Sequence, residues 1–260
     1  MQIKDNTFIV TGGASGLGEA TVKELIQRGA SVAIFDLNDE GAQELAQSLG
    51  PKAFAAGKVD VTSEEAVKTA IEKTVQKFGK IAGVVNCGGV ASAAKTARRG
   101  DAKHTMTLDI FEFTIRVNLI GTFNVCRQVA QVMANQEPFT EDGEQGVIIN
   151  TASVAYQDGQ TGQTAYSASK GGVASMTLPM ARDLASVGVR VMAIAPGIFE
   201  TNMTSVMPER AKKQIIKDAI FPNRMGKAPE YAQLACHIIE NGMLSGEIIR
   251  IDGASRLGKL

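Results

Sequence analysis

A tyrosine and a lysine stand four positions apart in "TAYSASKGG", as Tyr166 and Lys170. Positions i and i+4 of a helix share one face, so the phenol and the ammonium group can reach the same bound molecule. A phenol, with a pKa of about 10, becomes a base near neutrality only beside positive charge, which Lys170 supplies. Such a pair arises by chance in roughly one comparable sequence in six, so its weight depends on the residues around it.

Two further residues complete a set that suits hydride transfer to or from a secondary alcohol carbon. Ser153 follows "VIINTA", 13 residues before Tyr166, and would hydrogen-bond the substrate oxygen. Asn118, within "VNLIG", could hold a water molecule that links Lys170 to solvent. We therefore predict catalytic roles for Ser153, Tyr166, Lys170 and Asn118.

A glycine turn follows the first predicted strand, in "TGGASGLG", with Gly12, Gly16 and Gly18. Glycine there lets the backbone approach a pyrophosphate, whose charge binds free N–H groups at the start of the next helix. Asp36 ends the second predicted strand, where a carboxylate accepts hydrogen bonds from an adenosine ribose and repels a 2′-phosphate. Together they predict NAD rather than NADP. The alternative is that the glycines and the acid serve only turn geometry.

Strands of nearly continuous Val, Ile and Ala alternate with amphipathic helices along the chain, which indicates a parallel sheet covered on both faces. The predicted fold is α/β: one doubly wound Rossmann sandwich over residues 1–260, with a seven-stranded, mostly parallel sheet flanked by helices. Long helices are predicted over about 108–136, 164–186 and 229–241. Ligands in this architecture bind beyond the carboxyl ends of the strands. These ends are residues 12–18, Asp36, Asp60, 86–89, Ser153 and 196–201.

The composition argues against several functional classes. The 27 basic and 27 acidic residues leave no net charge that would attract nucleic acid or an anionic membrane. Cys87, Cys126 and Cys236 form no CxxC pair, and His104 and His237 have no ligand spacing, which predicts reduced thiols and no metal. No secretory pattern or 20-residue apolar run is visible, so a cytoplasmic protein is expected.

Taken together, these motifs resemble the short-chain dehydrogenases/reductases, in order along nearly the whole chain. The resemblance rests on "TGGASGLG", Asp36, "DV" at 60–61, "NCGG" at 86–89, "VNLIG", Ser153, "YSASK" and "PGIFET". It implies Tyr166 as catalytic base or acid, Ser153 as partner of the substrate oxygen, and Lys170 with Asn118 as the relay. It also implies adenine contacts at Asp60 and Val61. Further contacts with the nicotinamide cofactor are predicted at Ser15, Leu17, Asn86, Cys87, Tyr166, Lys170, Pro196, Phe199 and Thr201, with Lys170 holding the nicotinamide ribose.

Longer stretches, among them "AYSASKGGVASMTLPMARDLA" and "GEIIRIDGA", resemble one subgroup of that family. Its members oxidise the 3-hydroxyl of acyl-CoA thioesters, act on some steroids and form homotetramers. The implied activity is NAD-dependent oxidation of 3-hydroxyacyl-CoA in fatty acid metabolism. The alternatives are a hydroxysteroid or other secondary-alcohol dehydrogenase and, from another class, a catalytically silent NAD(H)-binding sensor. Gly88 departs from the family pattern, because alanine is usual there and the change removes a methyl group beside the expected cofactor.

Two segments are expected to contact the substrate. Lys95, Arg98, Arg99 and Lys103 lie in a loop after the fourth strand, where they could meet CoA phosphates. A solvated basic loop is the alternative. Residues 198–222, rich in methionine, are predicted to close over the substrate as a lid, with an ordinary surface helix as the alternative.

The remaining tyrosines receive smaller roles. Tyr156, three residues after Ser153, has no lysine four positions later and is expected to line the substrate pocket. Tyr231, near the start of a predicted helix, is expected to serve in packing.

Overall fold

One sheet organises the chain, and the computed structural model describes residues 1–201, 204, 216, 219–256 and 258. The strands are β1 (Thr7–Thr11), β2 (Ser31–Asp36), β3 (Ala53–Lys58), β4 (Gly83–Asn86), β5 (Gly146–Thr151), β6 (Val189–Pro196), β7 (Phe199–Glu200), β8 (Gly226–Lys227) and β9 (Ile248–Ile251). Seven of them form a sheet in the order β3-β2-β1-β4-β5-β6-β9, with every neighbouring pair parallel. Strands β7 and β8 pair separately.

Helices cover both faces of this sheet. They are α1 (Gly16–Gln27), α2 (Asp39–Leu49), α3 (Glu64–Phe78), α4 (Leu108–Ile115), α5 (Thr122–Met133), α6 (Ala155–Asp158), α7 (Thr164–Leu184) and α8 (Ala228–Glu240). A π-helical turn, Arg116–Gly121, joins α4 to α5, and short 3-10 turns occur at Ala102–His104 and Ala185–Val187. None of the helices described here is long and apolar enough to cross a membrane.

The burial pattern of the strands explains why both faces need helices. All five residues of β1 are buried, and neighbours along it face opposite sides. Phe8 and Val10 pack in one apolar cluster with Leu25 of α1, whereas Ile9 packs in a second cluster with Val67 of α3. Each such side chain contributes about 1.5–3 kcal/mol when fully buried. The predicted doubly wound sandwich is therefore confirmed.

Parallel pairing brings the carboxyl ends of the central strands to one edge of the sheet. Thr11 is in register with Asn86, Asn86 with Asn150, and Pro196 with Ile251. The chain leaves β1 towards β2 on one side, while β4 lies on the other, so strand order reverses between β1 and β4. A crevice at such a reversal is the usual ligand site of this architecture.

The structure differs from the sequence prediction in detail. The helix expected over 108–136 is interrupted by the π-helical turn and ends at Met133, while the helix expected over 164–186 ends at Leu184. The short elements α6, β7 and β8 were not predicted, because two to four residues carry too little periodicity to be recognised. Most of the lid predicted over 198–222 lies outside the described residues and stays a prediction.

Candidate active site

The glycine turn between β1 and α1 is shaped by close backbone contacts. Gly12 has a φ of +61°, and a Cβ atom there would lie 2.7 Å from Cα of Gly88. Gly16 has a φ of +56°, in the left-handed region that favours glycine. A Cβ atom on Gly18 would collide with the carbonyl oxygen of Gly12. Each of the three predicted glycines is therefore required by geometry, and Gly88 forms the opposite wall of the turn.

The start of α1 is suited to bind an anion. Among the described residues, the side chain of the N-cap residue Ser15 makes no hydrogen bond to the first-turn amides. Those amides and the positive end of the helix dipole point towards the crevice edge, where a pyrophosphate can accept hydrogen bonds. Leu17, one residue into the helix, is half-buried. The cradle therefore fits the diphosphate of a dinucleotide.

Asp36 connects the end of β2 to this turn. Its Oδ2 accepts a 2.9 Å hydrogen bond from the Ala14 N–H, and its Oδ1 accepts one of the same length from the Asn38 N–H. A carboxylate has about four acceptor positions, so two remain for ribose hydroxyl groups. The neighbouring Leu37 and Asn38 are exposed and carry no charge. Asp36 therefore stabilises the turn through two hydrogen bonds and keeps free acceptor positions for the predicted ribose.

Helix α7 presents Tyr166 and Lys170 on one face, as predicted. The Lys170 ammonium donates a 2.7 Å hydrogen bond to the carbonyl oxygen of Thr151, at the end of β5, and lies 5.9 Å from the centroid of the Tyr166 ring. Ser153, two residues beyond Thr151, is buried, and its hydroxyl acts on the Tyr166 phenol by lowering the pKa of that phenol. The structure thus brings serine, tyrosine and lysine together from two elements.

Burial dominates the electrostatics of this group. It raises the pKa of Tyr166 above the ordinary value of 10.0, and the hydrogen bond with Ser153 lowers it only in part. It also lowers the pKa of Lys170 to about 8, against a smaller opposing contribution from Cys87. The depressed phenol pKa expected from Lys170 is therefore not a property of the chain by itself, because desolvation disfavours the phenolate more strongly than Ser153 favours it.

Asn118 lies in the π-helical turn and is completely buried. Its Oδ1 accepts from the Val90 N–H at 2.8 Å, and its Nδ2 donates to the Val90 carbonyl at 2.9 Å and to the Ser169 hydroxyl at 3.0 Å. A Cβ atom on Gly89 would lie 3.1 Å from this Oδ1 and 3.6 Å from the Lys170 ammonium. Asn118 therefore fixes the turn after β4 against α7, beside the lysine.

Gly172, on α7, allows the π-helical turn to lie close to this helix. A Cβ atom on Gly172 would lie 2.6 Å from the Cδ2 atom of Leu119, in the π-helical turn. The π-helical turn therefore lies close against α7 at Gly172. Around Gly171, by contrast, no described atom lies within 4 Å of such a Cβ position.

The residues after β4 divide into a buried and a half-buried part. Asn86 is buried, accepts from the Thr11 hydroxyl at 3.3 Å and donates to Asn150 Oδ1 at 2.9 Å, so its side chain braces the sheet rather than facing the crevice. Cys87 is half-buried, and burial raises the pKa of its thiol. Asn86 can therefore serve a cofactor only through its backbone, and Cys87 is present as a thiol rather than a thiolate.

Asp60 and Val61, predicted to contact adenine, follow β3 at the same edge. Asp60 is exposed, and its Oδ1 accepts from both the backbone N–H and the hydroxyl of Thr62. Val61 packs against Gly121, where a Cβ atom would lie 2.7 Å from its methyl group, and its carbonyl accepts from Asn124. Val61 thus forms a wall between β3 and the end of the π-helical turn.

The segment after β6 reaches the glycine turn. The carbonyl of Pro196 accepts from the Val154 N–H at 3.0 Å, next to Ser153. The Phe199 ring is buried in the core, so only its backbone can face a cofactor. The Thr201 side chain lies 3.4 Å from the Cβ position of Gly16. Pro196 therefore lies beside Ser153, and Thr201 lies beside the glycine turn.

The basic loop, the two histidines and Tyr156 lie at or near the protein surface. Lys95, Arg98, Arg99 and Lys103 are all exposed, as are both histidines. Tyr156 is half-buried beside the apolar cluster that contains Val173. Arg98 lies 3.6 Å from Asp101, which also hydrogen-bonds His104 at 2.7 Å.

Two residues beside the lysine were missed by sequence reasoning. Thr151 holds Lys170 through a backbone carbonyl, a contact that no residue type signals. Tyr231 packs in the apolar core as predicted, and its hydroxyl in addition shares a 2.7 Å hydrogen bond with the Thr151 hydroxyl. The available signal was its type, because phenylalanine would fill the same space without a buried hydroxyl.

Comparisons with known proteins agree with this geometry. A human protein named 3-hydroxyacyl-CoA dehydrogenase type-2 is 49% identical over 255 residues, covering 98% of this chain and 97% of the relative. The crystal structure of a 3-hydroxyacyl-CoA dehydrogenase type-2 from Mycobacterium avium is similar with a TM-score of 0.92 and 41% identity, covering 98% of this chain and 97% of that one. A 3-ketoacyl-(acyl-carrier-protein) reductase from Brucella melitensis, complexed with NADH, is similar with a TM-score of 0.84 and 26% identity, covering 98% and 100%.

The sequence profile of the family described as short chain dehydrogenase matches residues 6–212. This range contains the glycine turn, Asp36, Asn118, Ser153, and the Tyr166 and Lys170 pair. The match spans most of the chain and includes every element that forms the candidate site up to Thr201. The chain therefore belongs to the short-chain dehydrogenase family.

Proposed function

We propose that this protein catalyses the reversible, NAD-dependent oxidation of the 3-hydroxyl of 3-hydroxyacyl-CoA to 3-ketoacyl-CoA. The observation that carries the reaction type is the meeting of Ser153, Tyr166 and Lys170 beside a dinucleotide cradle. The substrate class is supported by relatives named 3-hydroxyacyl-CoA dehydrogenase type-2 at 48–49% identity over nearly the whole chain. A nicotinamide dinucleotide cofactor is supported by the family and by a similar structure complexed with NADH.

In this proposal, Ser153 donates a hydrogen bond to the substrate oxygen and Tyr166 takes its proton. When bound, NAD supplies the hydride acceptor for the carbon that carries the hydroxyl. The alcohol thus loses one proton to Tyr166 and one hydride, which leaves the ketone. The Ser153 hydroxyl also stabilises the negative charge that develops on the oxygen as the proton leaves.

Lys170 has two tasks in this scheme. Its ammonium, held on the Thr151 carbonyl, favours the phenolate form of Tyr166, and the burial that lowers its pKa to about 8 leaves it able to exchange protons near that pH. Asn118 then provides the proton path, because its Oδ1 accepts one protein hydrogen bond and keeps a lone pair for water. The positive cofactor and Lys170 together offset the burial that raises the pKa of Tyr166 in the chain alone.

The preference for NAD over NADP rests on Asp36. A 2′-phosphate would meet its negative charge, and neither Leu37 nor Asn38 offers a cation in compensation. Two hydroxyl groups of an unmodified ribose, by contrast, can donate to its free acceptor positions.

The basic loop supports a substrate with phosphate groups. The Ala94 N–H donates to the Gly162 carbonyl at 2.9 Å, and the Thr96 and Thr164 hydroxyls lie 3.3 Å apart. These contacts fix the loop against the beginning of α7, two residues before Tyr166. The exposed cations of the loop are therefore anchored near the reacting groups, where CoA phosphates can reach them.

We also propose that the protein assembles as a homotetramer. Five large apolar side chains on α4, the π-helical turn and α5 are at least two-fifths exposed: Leu108, Ile110, Phe113, Ile120 and Phe123. Large apolar side chains exposed along successive helical segments in this way favour an association face. Light scattering of the protein as it elutes from a size-exclusion column measures its molar mass. The mass of a tetramer is expected, and the mass of a monomer contradicts the proposed assembly.

Initial rates with acetoacetyl-CoA and NADH test the function directly. Turnover with NADH that exceeds turnover with NADPH at equal concentration is expected. Tyr166→Phe should lower kcat by about a hundredfold or more, because it removes the proton donor and leaves the ring in place. If wild type turns over no 3-ketoacyl-CoA, or Tyr166→Phe leaves kcat unchanged, the proposal is wrong.

A further inference from the structure

Tyr231 is the largest of the completely buried side chains and lies on α8, outside the predicted catalytic set. It packs in the apolar cluster between α1, the sheet and α8, with Val22, Leu25 and Ala235. A phenol hydroxyl in such surroundings loses its water and is stable only when a protein group replaces that water. The hydrogen-bond partners of the Tyr231 hydroxyl therefore indicate the role of this residue.

Two residues at the site edge contact the Tyr231 hydroxyl. It shares a 2.7 Å hydrogen bond with the Thr151 hydroxyl, and the Cys87 thiol donates to it at 3.8 Å. Thr151 ends β5, and Cys87 follows β4 opposite the glycine turn. The hydroxyl thus joins α8 to the ends of the two strands that border the candidate site.

Thr151 presents a second group to the site. Its carbonyl oxygen accepts the 2.7 Å hydrogen bond from the Lys170 ammonium, while its hydroxyl is held by Tyr231. Within the part of the chain that the structure describes, this carbonyl is the hydrogen-bond acceptor found for that ammonium. The position of Lys170 therefore depends on the orientation of one residue, Thr151, whose side chain is fixed by α8.

We propose that Tyr231 is a positioning residue for Lys170: through the Thr151 hydroxyl it orients the end of β5 so that the Thr151 carbonyl holds the lysine beside Tyr166. This inference rests on the proposed dehydrogenase function. A four-carbon stem is flexible, so a lysine contributes a fixed charge only where its ammonium is tethered. Groups that orient a functional side chain in this way usually change its effect severalfold when they are removed.

The consequence is a change in the pH dependence of catalysis. Oxidation requires the Tyr166 phenolate, which a fixed Lys170 ammonium favours. Loosening Lys170 weakens that effect and raises the apparent pKa of the rising limb of kcat. The titratable groups of the described chain that face Lys170 are Tyr166 on its own helix and Cys87 after β4, with Tyr231 beyond Thr151.

The test is the pH profile of kcat for oxidation of 3-hydroxybutyryl-CoA by NAD, measured from pH 6 to 10.5. In Tyr231→Phe, we expect the rising limb to move about half a unit towards higher pH, which makes kcat about threefold lower on that limb. The plateau at high pH should stay near the wild-type value. KM for the substrate should change little, because Tyr231 lies behind the strand ends.

Three further variants separate positioning from a loss of stability. Thr151→Val removes the same hydrogen bond from the other side, so it should shift the profile equally, and the double variant should shift it no further. Thr74→Val on α3 removes a buried hydroxyl that donates to the Ala70 carbonyl at 2.7 Å, far from the site. It controls for stability and should leave the profile unchanged.

An unchanged profile in Tyr231→Phe, or a loss of kcat by the same factor at every pH, overturns the positioning role while leaving the dehydrogenase function intact. Additive shifts of Tyr231→Phe and Thr151→Val likewise overturn it, because they would place the two hydroxyls on separate paths. Absence of turnover in wild type refutes the proposed function and this inference together.

Discussion

Replacement of Lys170 by methionine should reveal the cost of keeping a charge inside the protein. Methionine keeps most of the volume of the apolar stem but carries no ammonium group. Lys170 is 6% exposed, and burial lowers its pKa from 10.5 to about 8. Between these two pH values the unfolded chain binds more protons at Lys170 than the folded chain does. The wild-type free energy of unfolding therefore increases as pH rises.

The size of the effect follows from the two pKa values. At about 1.4 kcal/mol for each pKa unit, the difference between 10.5 and about 8 corresponds to about 3 kcal/mol of destabilisation of the folded chain. This cost is present below pH 8 and disappears above pH 10.5. Most of it, about 2.5 kcal/mol, is recovered between pH 7 and 10. Lys170→Met should therefore gain stability relative to wild type at pH 7, and this advantage should shrink by about 2.5 kcal/mol at pH 10.

Urea unfolding at four or five pH values between 7 and 10, for both chains, measures this difference. The slope reports the titration of Lys170, because the pH dependence of the free energy of unfolding follows from the folded and unfolded pKa values. Groups that titrate in this range away from Lys170 are common to both chains and cancel, whereas the Cys87 thiol is electrostatically coupled to Lys170. Lys68→Met, which changes an exposed lysine on α3, is the matched control and should show no slope. A difference between Lys170→Met and wild type that stays constant from pH 7 to 10 would refute the reasoning.

Four further outcomes are expected. Gly18→Ala should destabilise the fold by about 2–3 kcal/mol in urea, because its methyl group meets the Gly12 carbonyl. Gly88→Ala, whose methyl group would lie 3.4 Å from its nearest neighbours, should stay within about 1 kcal/mol of wild type; an equal loss in both contradicts the contact argument. Asp36→Ala should raise kcat/KM for NADPH relative to NADH about tenfold, and an unchanged ratio argues against the ribose assignment. The Arg98→Ala/Arg99→Ala double variant should raise KM for acetoacetyl-CoA about three- to tenfold. An unchanged KM would contradict the proposal that the basic loop binds the CoA phosphates.

Much of the fold was predictable because hydrophobic periodicity and glycine turns are local properties of a sequence. The strands around Phe8, Ile34 and Ile149 are continuous apolar runs, and only a sheet covered on both faces can bury them. The break between α4 and α5 was not predictable. Residues 108–133 carry a helical pattern throughout, and the π-helical turn that contains Asn118 depends on contacts with Val90 and Ser169 from distant parts of the chain.

The candidate site divides in the same way. By itself, the sequence determined the glycine turn, Asp36, and the Ser153, Tyr166 and Lys170 set, because these functions require particular residue types at fixed spacings. Only the tertiary structure decided what surrounds them, including the Thr151 carbonyl that holds Lys170 and the burial that lowers its pKa to about 8. Backbone carbonyls look alike in every residue, and burial arises only when distant elements pack together.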